Sequence, residues 1–282
     1  IKIREKMVQE NRDFKPAWSF NWTCNRERCL AFQFRFYSNS HEQEFEEIML
    51  YLIGLGLNQE GISKKGLEAA RRCKKIYLEN YTVELPYSLE EIEKTIGKKV
   101  VPADREFVEG LRFLDEAKKT DVALLIYGSP LAATTHISII QEAKKAGVAI
   151  EIIHNASIFD AVAESGLQLY KFGKTASMPG FEADSYTVIV KDNLKIKAHS
   201  LILVDIGLSF QEALKKLDID CSKNGVKLDK IIICERLGSK DSHTYYDTIN
   251  RLRYLKVRAP FCILIPSGLH FLEKEFLENF KN

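Results

Sequence analysis

The sequence has no long hydrophobic run and no strong net charge. Its apolar runs are at most six or seven residues long, whereas a transmembrane helix needs ~20 residues. The formal net charge is +2, from 41 Lys and Arg against 39 Asp and Glu, so no overall field favours nucleic acid or membranes as partners. The first residues also lack the basic, apolar and small-residue order of a signal peptide. We therefore expect a soluble, cytoplasmic protein.

Several motifs of enzymes and cofactor-binding proteins are missing as well. The sequence contains no P-loop, no H-E-x-x-H zinc motif and no G-x-S-x-G nucleophile motif. Gly54 and Gly56 follow an apolar run, but Gln59 stands where a dinucleotide-binding fingerprint needs its third glycine. The six histidines are isolated from one another and lack the spacing of metal ligands. We expect no bound metal.

The cysteines favour neither a disulfide framework nor a zinc site. Cys24 and Cys29 have C-x4-C spacing, but no second pair of Cys or His follows nearby. Cys73, Cys234 and Cys262 fall in or beside apolar or helical patterns. These patterns indicate buried free thiols in a reducing compartment.

What is present is ample material for a packed core. Of the 282 residues, 45% are hydrophobic, including 16 Phe and 11 Tyr. This length predicts one large domain or two domains of ordinary size.

The most informative stretch is 122–136. Six apolar residues run from Val122 to Tyr127 without alternation, which is typical of a strand buried on both faces. Gly128, Ser129 and Pro130 then predict a sharp turn. A helical pattern follows over 134–147, and either Thr134 or Thr135 could cap it. Open α/β sheets bind ligands at such carboxyl ends of strands, although an ordinary loop would read the same way.

Strand and helix patterns alternate through the first half of the chain. This alternation predicts a mostly parallel sheet with helices on both faces. The predicted strands are 49–53, 76–78, 122–127 and 148–153, and the predicted helices are 63–73, 88–96, 104–119 and 134–147. Residues 1–48 show no clear period, although three phenylalanines alternate at positions 32, 34 and 36. We expect a poorly ordered N-terminal extension there.

A second α/β unit follows a stretch with many turn signals. Its predicted strands are 185–190, 200–205, 230–234 and 261–265, and its predicted helices are 209–217, 245–256 and 272–280. We therefore expect an extension over 1–48, one α/β domain over 49–168 and another over 169–282. Several strand ends are rich in Gly, Ser and Thr and poor in charge, which suits a ligand without phosphates that is held by backbone groups. S-adenosylmethionine is such a ligand.

Eight blocks of this sequence resemble the diphthine synthases, in the order of that family. They are 49–57, 77–82, 128–136, 156–158, 166–173, 205–208, 236–239 and 266–270. The most specific are Gly-Leu-Gln-Leu-Tyr-Lys-Phe-Gly at 166–173 and Leu-Ala-Ala-Thr-Thr-His at 131–136. The wider superfamily of tetrapyrrole methylases shares only the first strand and loop and the glycine-proline turn.

This resemblance implies a fold, a reaction and a set of partners. The fold would be two α/β domains of the tetrapyrrole methylase type, with S-adenosylmethionine in the cleft between them. The reaction would be successive methylation of the amine on a modified histidine of elongation factor 2, in diphthamide biosynthesis. The protein would be a homodimer that acts on this factor without binding nucleic acid or membrane.

The resemblance also implies the residues that contact the cofactor. They are Leu57, Ala132, Ser157, Ile158, Leu208, His270 and, where the alignment is loose, Tyr246. Ser129 takes the place of an aspartate of the family's Gly-Asp-Pro turn, and a hydroxyl accepts a hydrogen bond without charge assistance. We identify no catalytic base, because methyl transfer to an amine depends mainly on alignment. His136 and His270 are candidates for orientation of the reactants.

Two alternatives stay open. One is a precorrin-type tetrapyrrole methylase, which would label a precorrin rather than a protein. The other is a non-catalytic homologue that still binds the factor, because the carboxylate is missing at Ser129. Titration with S-adenosylmethionine separates an enzyme from the non-catalytic homologue.

Overall fold

Two five-stranded sheets, each covered by helices, organise the chain. The structure is a computed structural model that describes residues 48–280. Most of the predicted N-terminal extension, with Cys24 and Cys29, lies outside the described residues. The α/β class predicted from the sequence is confirmed. The division into two domains at residue 168 stays a prediction.

The first sheet is entirely parallel, in the order β3-β2-β4-β1-β5. Its strands are β1 (Met49–Gly54), β2 (Lys75–Glu79), β3 (Val101–Ala103), β4 (Val122–Ile126) and β5 (Ala149–Ile153). The helices between and after them are α1 (Lys64–Arg72), α2 (Leu89–Ile96), α3 (Arg105–Glu109), α4 (Leu114–Ala117), α5 (Ile137–Lys145) and α6 (Ile158–Ala161).

Apolar side chains cover both faces of this sheet. Along β4, Leu124 packs into the core on one face and Leu125 into the core on the other. Both are fully buried, which explains the continuous apolar run because alternate strand residues point to opposite faces. The central position of β4 places its carboxyl end beside that of β1.

The second sheet is mixed, in the order β6-β7-β10-β8-β9. Its strands are β6 (Ala176–Met178), β7 (Ser200–Val204), β8 (Lys230–Glu235), β9 (His243–Thr248) and β10 (Phe261–Ile265). Only β6 and β7 pair in parallel, and the other pairs are antiparallel. The helices are α7 (Ser185–Lys195), α8 (Phe210–Lys223), α9 (Ile249–Leu252) and α10 (Phe271–Leu277). Short 3-10 turns lie at Val162–Ser165, Leu169–Lys171 and Glu278–Phe280.

Several local predictions are wrong. The strand predicted over 185–190 is helix α7. The single helix predicted over 104–119 is broken, because Leu111 has a left-handed φ of 56°. The helix predicted over 245–256 is strand β9 followed by the short helix α9. Neither Thr134 nor Thr135 caps α5, which begins after His136 without a side-chain cap.

Serine side chains cap two of the helices. Ser63 accepts a hydrogen bond from the Gly66 N–H at the start of α1. Ser209 caps α8 in the same way, and Glu212 completes a capping box. Within the described residues, no helix is long and apolar enough to cross a membrane.

Candidate functional site

A cavity of about 300 Å³ lies where loops of the first sheet face residues of the second. The first sheet contributes the loops that follow β1, β2, β4 and β5, at the carboxyl ends of the strands. The second sheet contributes residues 203–208 and 259–262, together with Ser177, Cys234 and Leu237. This position agrees with the expectation that ligands bind at the carboxyl edge of a parallel sheet.

Two glycines bring the loops after β1 and β4 together. Gly56 and Gly128 exchange backbone hydrogen bonds of 3.1 and 2.9 Å. Both have a left-handed φ, +72° and +73°, which glycine adopts without strain. At Gly54 an added Cβ would lie 2.6 Å from the Gly128 carbonyl oxygen. The glycines that resemble a dinucleotide fingerprint therefore permit close approach of two backbones.

Asn155 joins this arrangement from the loop after β5. Its side-chain amide donates to the carbonyl oxygens of Gly54 and Gly61, each at 2.9 Å. The next two residues along the loop are Ala156 and Ser157, and Ser157 lines the cavity. Asn155 therefore fixes the loop after β5 against the loop after β1.

Ser129 lies in the turn after β4 and is nearly buried, with 9% of its surface exposed. Its hydroxyl oxygen is 3.5 Å from Nδ1 of His154. The next residue, Pro130, accepts a hydrogen bond of 2.7 Å from the Thr134 hydroxyl. The turn predicted at 128–130 thus holds the Ser129 side chain at the wall of the cavity.

Ser157 lines the cavity, and its hydrogen-bonding groups are engaged at the start of α6. Its hydroxyl donates to Asp160 at 3.2 Å and accepts from the Phe159 N–H at 3.3 Å. Its own N–H also donates to the Asp160 carboxylate. This capping box at the start of α6 fixes Ser157 and Ile158 at the wall of the cavity.

The structure brings together six of the eight predicted cofactor-contacting residues. Those that line the cavity are Leu57, Ser129, Ala132, Ser157, Ile158 and Leu208. Tyr246 and His270 lie outside its lining. Tyr246 is in β9 opposite Ile232, and His270 caps α10 by accepting from the Leu272 N–H at 3.4 Å. Cofactor contact by any of the eight stays a prediction.

Charged residues of the lining were not identified from the sequence. Glu84 and Arg105 come from the first sheet's side of the cavity and Asp205 from the second. Asp205 follows β7 directly, and its carboxylate accepts from the N–H groups of Gly180 at 3.1 Å and Ile206 at 3.0 Å. The available signal for Asp205 was a charged residue at the end of the apolar strand predicted over 200–205.

A network of charges supports the wall formed by residues 259–262. Arg236 donates from Nε to the Ala259 carbonyl at 2.8 Å, and Arg258 pairs with both Glu235 and Asp241. Hydrogen bonds from Ser239 and Arg236 lower the pKa of Asp241 to about 2. The carboxylate is therefore ionised at neutral pH and keeps both guanidinium groups beside the cavity wall.

Within residues 48–280, no group of three or more His, Cys, Asp or Glu side chains is arranged to hold a metal ion. The four cysteines in this range are free and buried. Cys234 and Cys262 are cross-strand neighbours and both line the cavity. The hydrogen bond with the Cys234 thiol and burial raise the pKa of Cys262 well above its ordinary value, so this thiol is neutral.

The class of protein follows from a comparison with family models. The model described as Tetrapyrrole (Corrin/Porphyrin) Methylases matches residues 49–253. The match covers β1 to α9 and so includes loops on both sides of the cavity.

Individual relatives narrow this class. Diphthine methyl ester synthase of Saccharomyces cerevisiae is 46% identical, over 82% of this chain and 89% of that protein. Diphthine synthase of Methanococcus maripaludis is 36% identical, over 82% of this chain and 98% of that protein. A crystal structure of diphthine synthase matches with a TM-score of 0.76 at 34% identity, over 83% of this chain and 96% of that one. The chain therefore belongs to the tetrapyrrole methylase family and, within it, to the diphthine synthases.

Proposed function

We propose that this protein transfers methyl groups from S-adenosylmethionine to the modified histidine of elongation factor 2, in diphthamide biosynthesis. The main support is the convergence of six predicted cofactor-contacting residues on one cavity. These residues come from blocks scattered between positions 57 and 208, so their convergence depends on the fold. The names of the relatives support the same substrate.

The lining of the cavity fits the chemistry of this cofactor. S-adenosylmethionine carries an aromatic base, a carboxylate and two positive centres. Leu57, Ile158 and Leu208 offer apolar surface for a base, Arg105 offers a partner for a carboxylate, and Asp205 offers negative charge. The volume of about 300 Å³ lies at the lower end of the range for ligand sites.

When bound, the cofactor supplies a methyl group on a positively charged sulfur. The residues of this chain would hold it, exclude water and align the acceptor with it. Such alignment lowers a barrier by several kcal/mol, about 7–11 in favourable cases. The apolar wall on the first sheet's side and Cys234 and Leu237 on the second provide a dry surface for the transfer.

The acceptor atom is a separate question, because an amine and a carboxylate are both chemically possible. We propose the amine as one acceptor. The yeast relative's name specifies a methyl ester, and at 46% identity it favours a second acceptor, the carboxylate of the same modified residue. An ester methyl is released by mild alkali, whereas a methyl on nitrogen is retained.

The test is to incubate the full chain with labelled S-adenosylmethionine and elongation factor 2 that carries the unmethylated precursor. We expect label on the modified histidine, retained in part after alkali. In a parallel incubation with a precorrin, label on the precorrin and none on the protein would support the tetrapyrrole alternative. Cofactor binding without transfer to either acceptor would overturn the proposed function.

The non-catalytic alternative depends on Ser129. Calorimetry with S-adenosylmethionine should show binding in the micromolar range. A flat titration together with retained binding of elongation factor 2 would support the non-catalytic alternative.

We also propose that the protein is a cytoplasmic homodimer. Light scattering after gel filtration measures the mass in solution, and a monomer mass would exclude the dimer.

A further inference from the structure

Two ionisable side chains lie buried directly behind the wall of the cavity. Glu79 is the last residue of β2 and His136 precedes α5, and their side chains are only 1% and 2% exposed. Oε2 of Glu79 lies 3.4 Å from Nε2 of His136. Within residues 48–280, neither atom has a hydrogen-bond partner of good geometry. The two groups therefore face each other without a third group between them.

The tautomer of His136 follows from its other nitrogen. Nδ1 lies 3.0 Å from the carbonyl oxygen of Pro130, and because a carbonyl only accepts, Nδ1 must carry a hydrogen. A neutral His136 then presents a lone pair at Nε2. An ionised Glu79 also presents only lone pairs. The two atoms repel unless one proton lies between them, as carboxylic acid with imidazole or as carboxylate with imidazolium.

Each member of the pair holds a loop that lines the cavity. Glu79 accepts from the Thr82 N–H at 3.1 Å, and Thr82 belongs to the loop after β2 that lines the cavity. His136 donates to Pro130, the residue that follows Ser129 in the turn after β4. A bond between Glu79 and His136 would therefore fasten these two loops to each other.

We propose that Glu79 and His136 are positioning residues that share one proton, and that this proton holds the loops after β2 and β4 in the geometry that binds the cofactor. The cofactor part of this inference rests on the proposed function. The shared proton itself rests only on the contacts of the two side chains.

The groups around the pair set the direction of its pH dependence. Burial raises the pKa of Glu79, whereas the hydrogen bonds of Thr82 and the charges of His136 and Arg105 act in the opposite direction. Tyr81 lies nearby, and burial and Glu79 raise its pKa to about 12. Rising pH removes the shared proton from the pair. Cofactor affinity should then fall by up to about tenfold per pH unit, because one proton is linked to binding.

Glu79→Gln is the decisive variant. Its amide can donate to Nε2 of His136 and still accept from Thr82, but it does not ionise. We expect affinity for S-adenosylhomocysteine near that of the native chain at neutral pH and no loss of affinity at higher pH. Glu79→Ala and His136→Ala should each weaken binding by about tenfold, the loss of one charge-assisted hydrogen bond. Glu116→Gln is the matched control, because Glu116 bonds to Tyr77 and not to a histidine.

Nitrogen-15 NMR of the histidine side chains tests the proton without any ligand. We expect both nitrogens of His136 in the native chain to bear or share a proton at neutral pH, and Nε2 to lose it in Glu79→Gln. A native Nε2 that is fully deprotonated with Glu79 ionised would overturn the proposal, as would an unchanged pH profile of affinity in Glu79→Gln. If the native chain binds no S-adenosylhomocysteine while NMR finds the shared proton, the proposed function fails and the shared proton stands.

Discussion

His199 donates from Nε2 to Oε1 of Glu273 at 3.0 Å, across 74 residues of sequence. Its tautomer is fixed, because the Ser267 N–H donates to Nδ1 at 3.0 Å. Glu273 also accepts from Lys171 and from the N–H groups of Gln168 and His270. Two of the blocks that resemble the diphthine synthases, 166–173 and 266–270, are thus joined by one buried carboxylate. His270 takes part through its backbone N–H.

This buried cluster predicts a loss of stability on acidification. Burial alone would raise the pKa of Glu273, but its hydrogen bonds from Lys171, two backbone N–H groups and His199 lower it to about 2. Burial holds the pKa of His199 below its ordinary value. Both shifts stabilise the fold above the ordinary pKa values of ~6.5 for His and ~4.3 for Glu. This stability should be lost as the pH falls through those values toward about 2.

Glu273→Gln should therefore lower the free energy of unfolding at neutral pH, by about 3 kcal/mol from a shift of roughly two pKa units. The difference from the native chain should shrink steadily as the pH is lowered. Urea unfolding at several pH values measures it. Glu275→Gln, an exposed position on the same helix, is the control and should change little. A constant difference at all pH values would contradict the assignment.

Leu57 and Gly238 pack against each other where the loops of the two sheets meet. A side chain at Gly238 should therefore lower both stability and cofactor affinity. A Cβ at Gly238 would lie 2.7 Å from the Cβ of Leu57, and Gly238 has a left-handed φ of 78°. Gly238→Ala should lower stability by about 1 kcal/mol for the backbone and by a further ~1–3 kcal/mol for overpacking. Because Leu57 lines the cavity, affinity for S-adenosylmethionine should fall as well.

Gly147→Ala is the matched control for this substitution. Gly147 also has a left-handed φ, +69°, but nothing lies within 4 Å of its added Cβ. It should lose only the backbone contribution, about 1 kcal/mol, and keep full affinity. Thermal unfolding and calorimetry of both variants separate the two effects. Equal losses of affinity in both would show that the contact with Leu57 does not matter.

The sequence predicts the first sheet better than the second, for a physical reason. Parallel strands buried on both faces leave long apolar runs, as in β1 and β4. Helix α7 carries the β-branched run Thr187 to Val190, which favours a strand by local propensity. Its buried residues Tyr186, Val190 and Asn193 have helical spacing instead. Tertiary packing therefore overrides the local preference.

In the candidate site, too, features set by local sequence were predicted and features set by tertiary packing were not. The turn after β4 was predicted because Gly128, Ser129 and Pro130 restrict the backbone locally. Asp205 and the wall at 259–262 reach the cavity through the pairing of β7, β8 and β10. Antiparallel pairing of segments this far apart leaves no local pattern. Of the eight cofactor-contacting residues implied by the family resemblance, Leu208 is the one that lines the cavity from the second sheet.

Ser129 gives the last prediction. It is nearly buried at the cavity wall, and its hydroxyl lies 3.5 Å from Nδ1 of His154. A neutral hydroxyl contributes about 0.5–1.5 kcal/mol through a hydrogen bond, against roughly 1.5–3 kcal/mol for a charged acceptor. Ser129→Asp should therefore tighten S-adenosylmethionine by about 1 kcal/mol, or roughly five- to tenfold in Kd.

Ser129→Asn is the control, because it matches aspartate in size and lacks the charge. Only the aspartate should tighten binding, and added salt should reduce the gain weakly because screening is small at a buried site. His154→Ala in the aspartate variant tests the competing outcome, in which the new carboxylate pairs with His154 instead of the cofactor. In that case the aspartate alone gives no gain in calorimetry, and removal of His154 restores it. If the aspartate weakens binding in both backgrounds, the side chain at position 129 does not face the cofactor.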